Sequence, residues 1–212
     1  MLDVLDELFA EDEAWVVGGA VRDQALDRPV VDIDVAVREP RAAARKLAKR
    51  VGGAPFLLSE RHGAWRVALD GGRTVDFTPL PGSIEDDLSK RDFTINAIAE
   101  RVGSEEFRDP YNGFGDLAAS GIRALQDGVF EDDPLRLLRA VRLEDELGFR
   151  LDHQGLRDDL PFRHRPQPLN LRFRDRNHLL QLAGPLRDRG SIGARHRRLD
   201  EGQEISLGDR LP

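Results

Sequence analysis

Two aspartates two positions apart, Asp32 and Asp34, lie in the alternating run V-V-D-I-D-V-A-V, residues 30–37. In a strand this spacing sends Asp32, Asp34 and Ala36 to one side and Val31, Ile33, Val35 and Val37 to the other. Two carboxylates on one strand face can share a pair of divalent ions about 3.5–4 Å apart, the arrangement that phosphoryl transfer uses. The bland alternative is a solvent-facing strand edge, and for an isolated D-x-D that alternative is the commoner one. Just upstream, Gly18 and Gly19 stand between an apolar run, residues 14–17, and a helical pattern, residues 20–26. Glycines at a strand-to-helix junction let backbone N–H groups approach phosphate oxygens. Arg22, one turn into that helix, can point back at the same phosphates with Asp23 as its anchor, or form an ordinary surface ion pair. A third acid, Asp76 in R-T-V-D-F-T, completes a carboxylate triad if its strand lies beside the first, an adjacency expected for antiparallel pairing, or is an ordinary polar residue on a half-buried strand.

The elements needed to hold these residues follow from periodicity. Helices are predicted over residues 4–9, 20–26, 41–50 and 130–147, with a further one beginning at 83–87 and an apolar helical face over 93–98. Strands are predicted over 14–17, 30–37, 65–69 and 74–79, the last two joined by the hairpin signal D-G-G-R at 70–73. Pro134 is compatible with the long helix only near its first turn. Arg136, Arg139 and Arg142 recur every three residues along one side of that helix. This order gives an α/β head with a mixed, mainly antiparallel sheet, then a helical neck.

Composition limits the rest. The 212 residues carry a net charge of −7, five His and no Cys. Disulfides and thiolate zinc sites are therefore excluded, and any metal must be held by carboxylate oxygen. No apolar stretch nears the roughly 20 residues that span a bilayer, and the acidic start M-L-D-V-L-D-E-L is unlike a basic signal peptide, so a cytoplasmic protein without membrane contact is expected. The charge is uneven: residues 150–212 hold 13 Arg, no Lys and 9 acidic residues. That segment, Arg-rich and weakly periodic, is expected to be a poorly ordered tail after Phe149. The expected organisation is a catalytic head over 1–125, the start of a neck over 126–149, and this tail.

Five segments in order, V-G-G-A-V-R-D (17–23), D-I-D (32–34), K-R-D-F-T-I-N-A (90–97), D-P-Y-N-G-F-G-D-L (109–117) and D-D-P-L-R-L-L-R-A-V-R (132–142), resemble the head and neck motifs of class II tRNA nucleotidyltransferases and bacterial poly(A) polymerases. The resemblance implies a polymerase-beta-like fold and template-independent addition of C or A, from CTP and ATP, to the tRNA 3' end. It implies two Mg ions on Asp32 and Asp34; Asp76, the third acid by its strand position, is expected to be catalytic with them. Gly18, Gly19 and Arg22 would hold the triphosphate, while Arg91, Asp92 and Asn96 would contact sugar and phosphates. Asp133 and Arg136 would read the base, followed along the helix by Arg139 and Arg142 as nucleotide-binding residues. Residues three apart on a helix do present an acceptor beside a planar donor, and the same spacing also makes an ordinary helix-surface ion pair, the commoner case. Asp109 and Asp116 bracket a turn that in this family links head to neck.

Two departures qualify the resemblance. Only P-G-S-I-E-D-D-L-S, residues 81–89, separates the third-acid strand from K-R-D, where enzymes that add the whole CCA end carry a longer loop; this shortness points towards addition of C. After R-A-V-R, the acids Glu144, Asp145 and Glu146 stand where apolar residues are usual, and few residues remain for a tRNA-holding body. A nucleotide-binding remnant without turnover, and a poly(A) polymerase, are therefore the alternatives.

Overall fold

The computed structural model describes residues 1–126, 130 and 133–152. The long sheet runs β3-β4-β5-β2-β1-β6-β7, from strands β1 (Ala14–Val17), β2 (Asp32–Val37), β3 (Ala54–Ser59), β4 (Ala64–Ala68), β5 (Thr74–Pro79), β6 (Ala99–Arg101) and β7 (Phe107–Arg108). Five neighbouring pairs are antiparallel and one, β2 with β5, is parallel. The expected mixed, mainly antiparallel α/β fold is what forms.

One face of the sheet carries Ile33, Val35 and Val37 into the main core. There they meet Leu5 and Phe9 of α1 (Leu2–Phe9) and Ala43, Ala44 and Leu47 of α3 (Pro40–Val51). The opposite face buries Trp15, Val17 and Ala36 against Ile84 and Leu88 of α4 (Ile84–Leu88). Ser83 and Asp86 close a reciprocal capping box at the start of α4, so two otherwise unpartnered N–H groups are satisfied there. Because α4 covers only the Ala36 end of β2, Asp32 is left exposed and Asp34 half-buried.

Several sequence expectations are corrected. Val31 is not a core residue: β2 begins at Asp32 and Val31 is 51% exposed. The 93–98 run is not a helical face; Phe93 is extended, Thr94–Asn96 make one 3-10 turn, and the chain enters β6. From Ala97, successive side chains go to opposite cores, Ala97 and Ala99 to one and Ile98 to the other, the two-residue period of a strand. β5 lies beside β2 as required for Asp76, but in parallel register. The chain leaves β2 through α3 and returns to the sheet three places away as β3, so that after the β3-β4 and β4-β5 reversals β5 runs with β2.

The helix α2 (Gly19–Ala25) follows β1, and α5 (Gly113–Ala118) follows β7. Asp109 accepts hydrogen bonds from the N–H groups of Gly113 (2.6 Å) and Phe114 (3.0 Å), making it a cap for α5. The long helix α6 (Leu135–Leu147) has Pro134 at its N-cap and buries Ala140, Leu143 and Leu147 in the main core. Glu144 accepts the Leu151 N–H at 3.0 Å, and Asp145 and Glu146 face solvent. The three acids thus leave the apolar side of the helix intact. β8 (Gly121–Ile122) and β9 (Arg150–Leu151) form a small parallel ladder, and Leu151 joins the core. Order therefore continues past Phe149; the remainder of the expected tail lies outside the described residues. Among the described residues no helix is long and apolar enough to cross a membrane.

Candidate active site

Register brings the three acids into one patch. Asp34 is the direct partner of Asp76 across β2 and β5, and Asp32 is the partner of Thr74, whose hydroxyl donates to Asp32 Oδ1 at 2.8 Å. Burial holds the Asp34 carboxyl above its ordinary value of 3.8; the Arg91 charge opposes this, and the neighbouring Asp76 and Asp32 add to it. An acid beside other acids in a half-buried setting favours its neutral form unless a cation is supplied.

Asp76 is almost wholly buried and bound at both oxygens. Arg66 of β4 donates from Nε at 2.6 Å and from Nη2 at 2.7 Å, a bidentate fork. Arg66 escaped the sequence reading because its significance depends on the β4-β5 register, which pairs it with Asp76. Among the described residues no group of three or more His, Asp or Glu is disposed to hold a metal ion. Asp32 and Asp34 remain as a pair of hard oxygen donors suited to a magnesium-like ion.

A second cluster adjoins this patch. Gly18 has φ +72° and ψ −128°, a conformation open essentially to glycine. Its N–H donates to the Ile98 carbonyl at 3.1 Å, so it contributes room more than a free donor: an added Cβ would sit 3.3 Å from Arg91 Nη1. At Gly19, a Cβ would lie 3.5 Å from Arg22 Nη2. Arg22, 7% exposed, is gripped by Asp23 at 2.9 Å and donates from Nη1 to Asn96 Oδ1 at 2.7 Å. Asn96 in turn donates to Asp92 Oδ1 at 3.1 Å, and Asp92 Oδ2 is 2.8 Å from Arg139 Nε. Arg91 is paired with Asp87 at 2.7 Å. Six of the expected residues, Gly18, Gly19, Arg22, Asn96, Asp92 and Arg91, therefore share one neighbourhood, with Arg139 attached from α6.

Asp133 and Arg136 lie at the start of α6, 3.9 Å apart. Asp133 Oδ1 accepts the Leu135 N–H at 3.0 Å, and Arg136 reaches the Lys90 carbonyl at 3.5 Å, which sets the pair beside the K-R-D segment. Arg142 stands apart: it is largely exposed and faces Glu146 of its own helix at 3.9 Å. Asp116 binds Arg123 at 2.8 Å and accepts from the Thr94 hydroxyl, tying α5 to the 3-10 turn that carries Asn96.

The family described as the poly A polymerase head domain matches residues 14–80 and 64–123. Over 145 residues the chain is 48% identical to a CC-adding tRNA nucleotidyltransferase of Geobacter sulfurreducens, covering 65% of this chain and 33% of that protein. It is 43% identical over 185 residues to an A-adding tRNA nucleotidyltransferase of Deinococcus radiodurans, covering 84% and 42%. That alignment reaches beyond residue 152. A solved CCA-adding enzyme of Thermotoga maritima, complexed with tRNA, superposes with a TM-score of 0.64 at 31% identity, over 72% of this chain and 38% of that one. The chain thus spans between a third and about two fifths of the length of these curated relatives.

Proposed function

The chain belongs to the poly A polymerase head-domain family, and on that premise we propose that it transfers CMP or AMP from CTP or ATP to the 3' end of tRNA. The observation that carries this reading is the in-register carboxylate patch of Asp32, Asp34 and Asp76 beside the Gly18-Gly19 turn. In the reaction the RNA 3'-oxygen bonds to the α-phosphorus, the bond to the β-phosphate breaks, and pyrophosphate leaves. Asp32 and Asp34 are the residues that would hold Mg ions. Bound there, magnesium would make the 3'-hydroxyl more acidic and offset the charge of the triphosphate.

The side chains around the patch have separate tasks. The missing side chains at Gly18 and Gly19 leave room for phosphates, and Arg22 and Arg91 supply the positive charge there. Asp23, Asn96 and Asp87 fix those two guanidiniums in place before substrate arrives, so less ordering is required on binding. Asp92 and Asn96 present polar groups for the ribose. Asp133 and Arg136 supply an acceptor and a planar donor for the Watson-Crick edge of the base, taking the part of a template. The short segment 81–89 between β5 and the K-R-D motif favours C addition.

The test is incubation of the full chain with tRNA lacking its 3' end and each labelled nucleotide in turn, with products resolved to single residues. Addition of one or two C, or of a single A, supports the proposal. A long tract made from ATP alone would indicate a poly(A) polymerase, and CTP binding without any product would indicate a nucleotide-binding remnant.

A further inference from the structure

Arg66, Asp76, Asp34 and Val17 occupy one row across β4, β5, β2 and β1. Adjacent strands are about 4.8 Å apart, so side chains on the same face of such a row are immediate neighbours. Asp34 has a carboxylate on one side, and that carboxylate has a guanidinium on its other side. Both Asp76 oxygens accept a hydrogen bond from Arg66, and no three-ligand group is assembled among the described residues.

We propose that Arg66 is a latch: its fork on Asp76 keeps the third acid out of the cation site formed by Asp32 and Asp34, and release of the fork completes a three-carboxylate site. The proposal rests on the reading of Asp32 and Asp34 as the cation-holding pair. Geometry favours a latch over a simple brace. A brace that oriented Asp76 for a cation would turn its remaining lone pairs towards Asp34 and draw the three acids into one ligand group, and no such group is assembled among the described residues. Arg66 is also one-third exposed at its side chain, so it can swing away without unpacking the core. The chemistry able to draw it off is another planar or tetrahedral oxyanion, such as a phosphate of the incoming nucleotide.

The experiment is a Mn2+ titration of the full chain without nucleotide, followed by the loss of the free-ion paramagnetic signal. Lysine keeps the charge of Arg66 but has no fork. Arg66→Lys should therefore bind Mn2+ about 3- to 10-fold more tightly than the parent, and Arg66→Gln at least as tightly. In an Asp76→Asn background the Arg66→Lys substitution should have no effect, because the acid it releases is gone. If Arg66→Lys binds Mn2+ as the parent does, or more weakly, while binding still requires Asp32 and Asp34, the latch is wrong and Arg66 is a brace or a bystander. If Asp32→Ala with Asp34→Ala leaves Mn2+ binding unchanged, the underlying assignment of the cation site fails instead. Unchanged far-ultraviolet circular dichroism and melting temperature in each variant show that the fold is retained.

Discussion

Arg139, on α6, sets its Nε 2.8 Å from the carboxylate of Asp92, and so joins α6 to the chain of side chains that ends at the Gly18-Gly19 turn. Asp92 holds Asn96, Asn96 holds Arg22, and Arg22 lies against Gly19. At its other end the helix is tied back to the same cluster. Arg28 donates to the Glu146 carbonyl at 3.0 Å and lies 3.9 Å from Asp23.

On the proposed function, this coupling is expected to make Arg139 a positioning residue with a particular kinetic signature. Arg139→Ala should raise KM for CTP and ATP by the same factor, roughly fivefold, because Arg139 is exposed although its partner Asp92 is buried. Arg139→Lys should recover part of the loss. Steady-state kinetics with each nucleotide checks this; a change in base selectivity at constant KM would place Arg139 directly on the base.

Base choice is expected to reside six residues earlier, at Asp133 just ahead of α6. Asp133→Ala should narrow the preference for the favoured nucleotide over UTP and GTP by about tenfold, more than it lowers turnover of that nucleotide. Competition among the four nucleotides measures the ratio. Reduced turnover with unchanged selectivity would assign Asp133 to the start of α6, where it already accepts the Leu135 N–H.

The acid patch should lower stability in the absence of cations. Burial raises the Asp34 carboxyl above 3.8, so the folded chain binds a proton that the unfolded chain has released in the interval between 3.8 and the raised value. Stability must then fall as pH rises through that window, and the deficit persists at neutral pH. Asp34→Asn should melt about 2–4 °C higher than the parent at pH 7 without divalent ions, and the difference should shrink as the pH falls below 3.8. Thermal melts in chelator across that range test the sign.

At Gly18 the backbone conformation itself is the constraint. Gly18→Ala should destabilise the fold by about 1–3 kcal/mol, because φ is +72° with ψ −128° and the new Cβ would meet Arg91 Nη1 at 3.3 Å. Denaturant unfolding gives the loss; an unchanged midpoint would show that the turn relaxes freely.

Much of this site was legible before any fold was known. The D-I-D alternation and the glycine pair declare themselves by local pattern, and Asp32 and Asp34 do share a strand face. Other features were not legible. β3, A-P-F-L-L-S, has no two-residue alternation and contains Pro55, and only its place at the sheet edge makes that acceptable. The run F-T-I-N-A-I alternates apolar and polar residues over only four positions before Ala97 and Ile98 break the pattern, so period alone could not separate a helix from a turn entering a strand. The grip of Arg66 on Asp76 needs two strands to meet in one register, which no local pattern contains. Arg139 was read as a nucleotide contact along an Arg stripe, and its tie to Asp92 appears only once α6 packs against the head.

The most direct test of the account is incorporation of labelled CTP and ATP into tRNA lacking its 3' end, comparing the full chain with its Asp32→Ala, Asp34→Ala double variant in the presence of Mg2+. The account predicts incorporation by the parent, and a loss of at least about 1,000-fold in the double variant, with circular dichroism and melting temperature showing the fold retained. Incorporation by the double variant at the parental rate would contradict it.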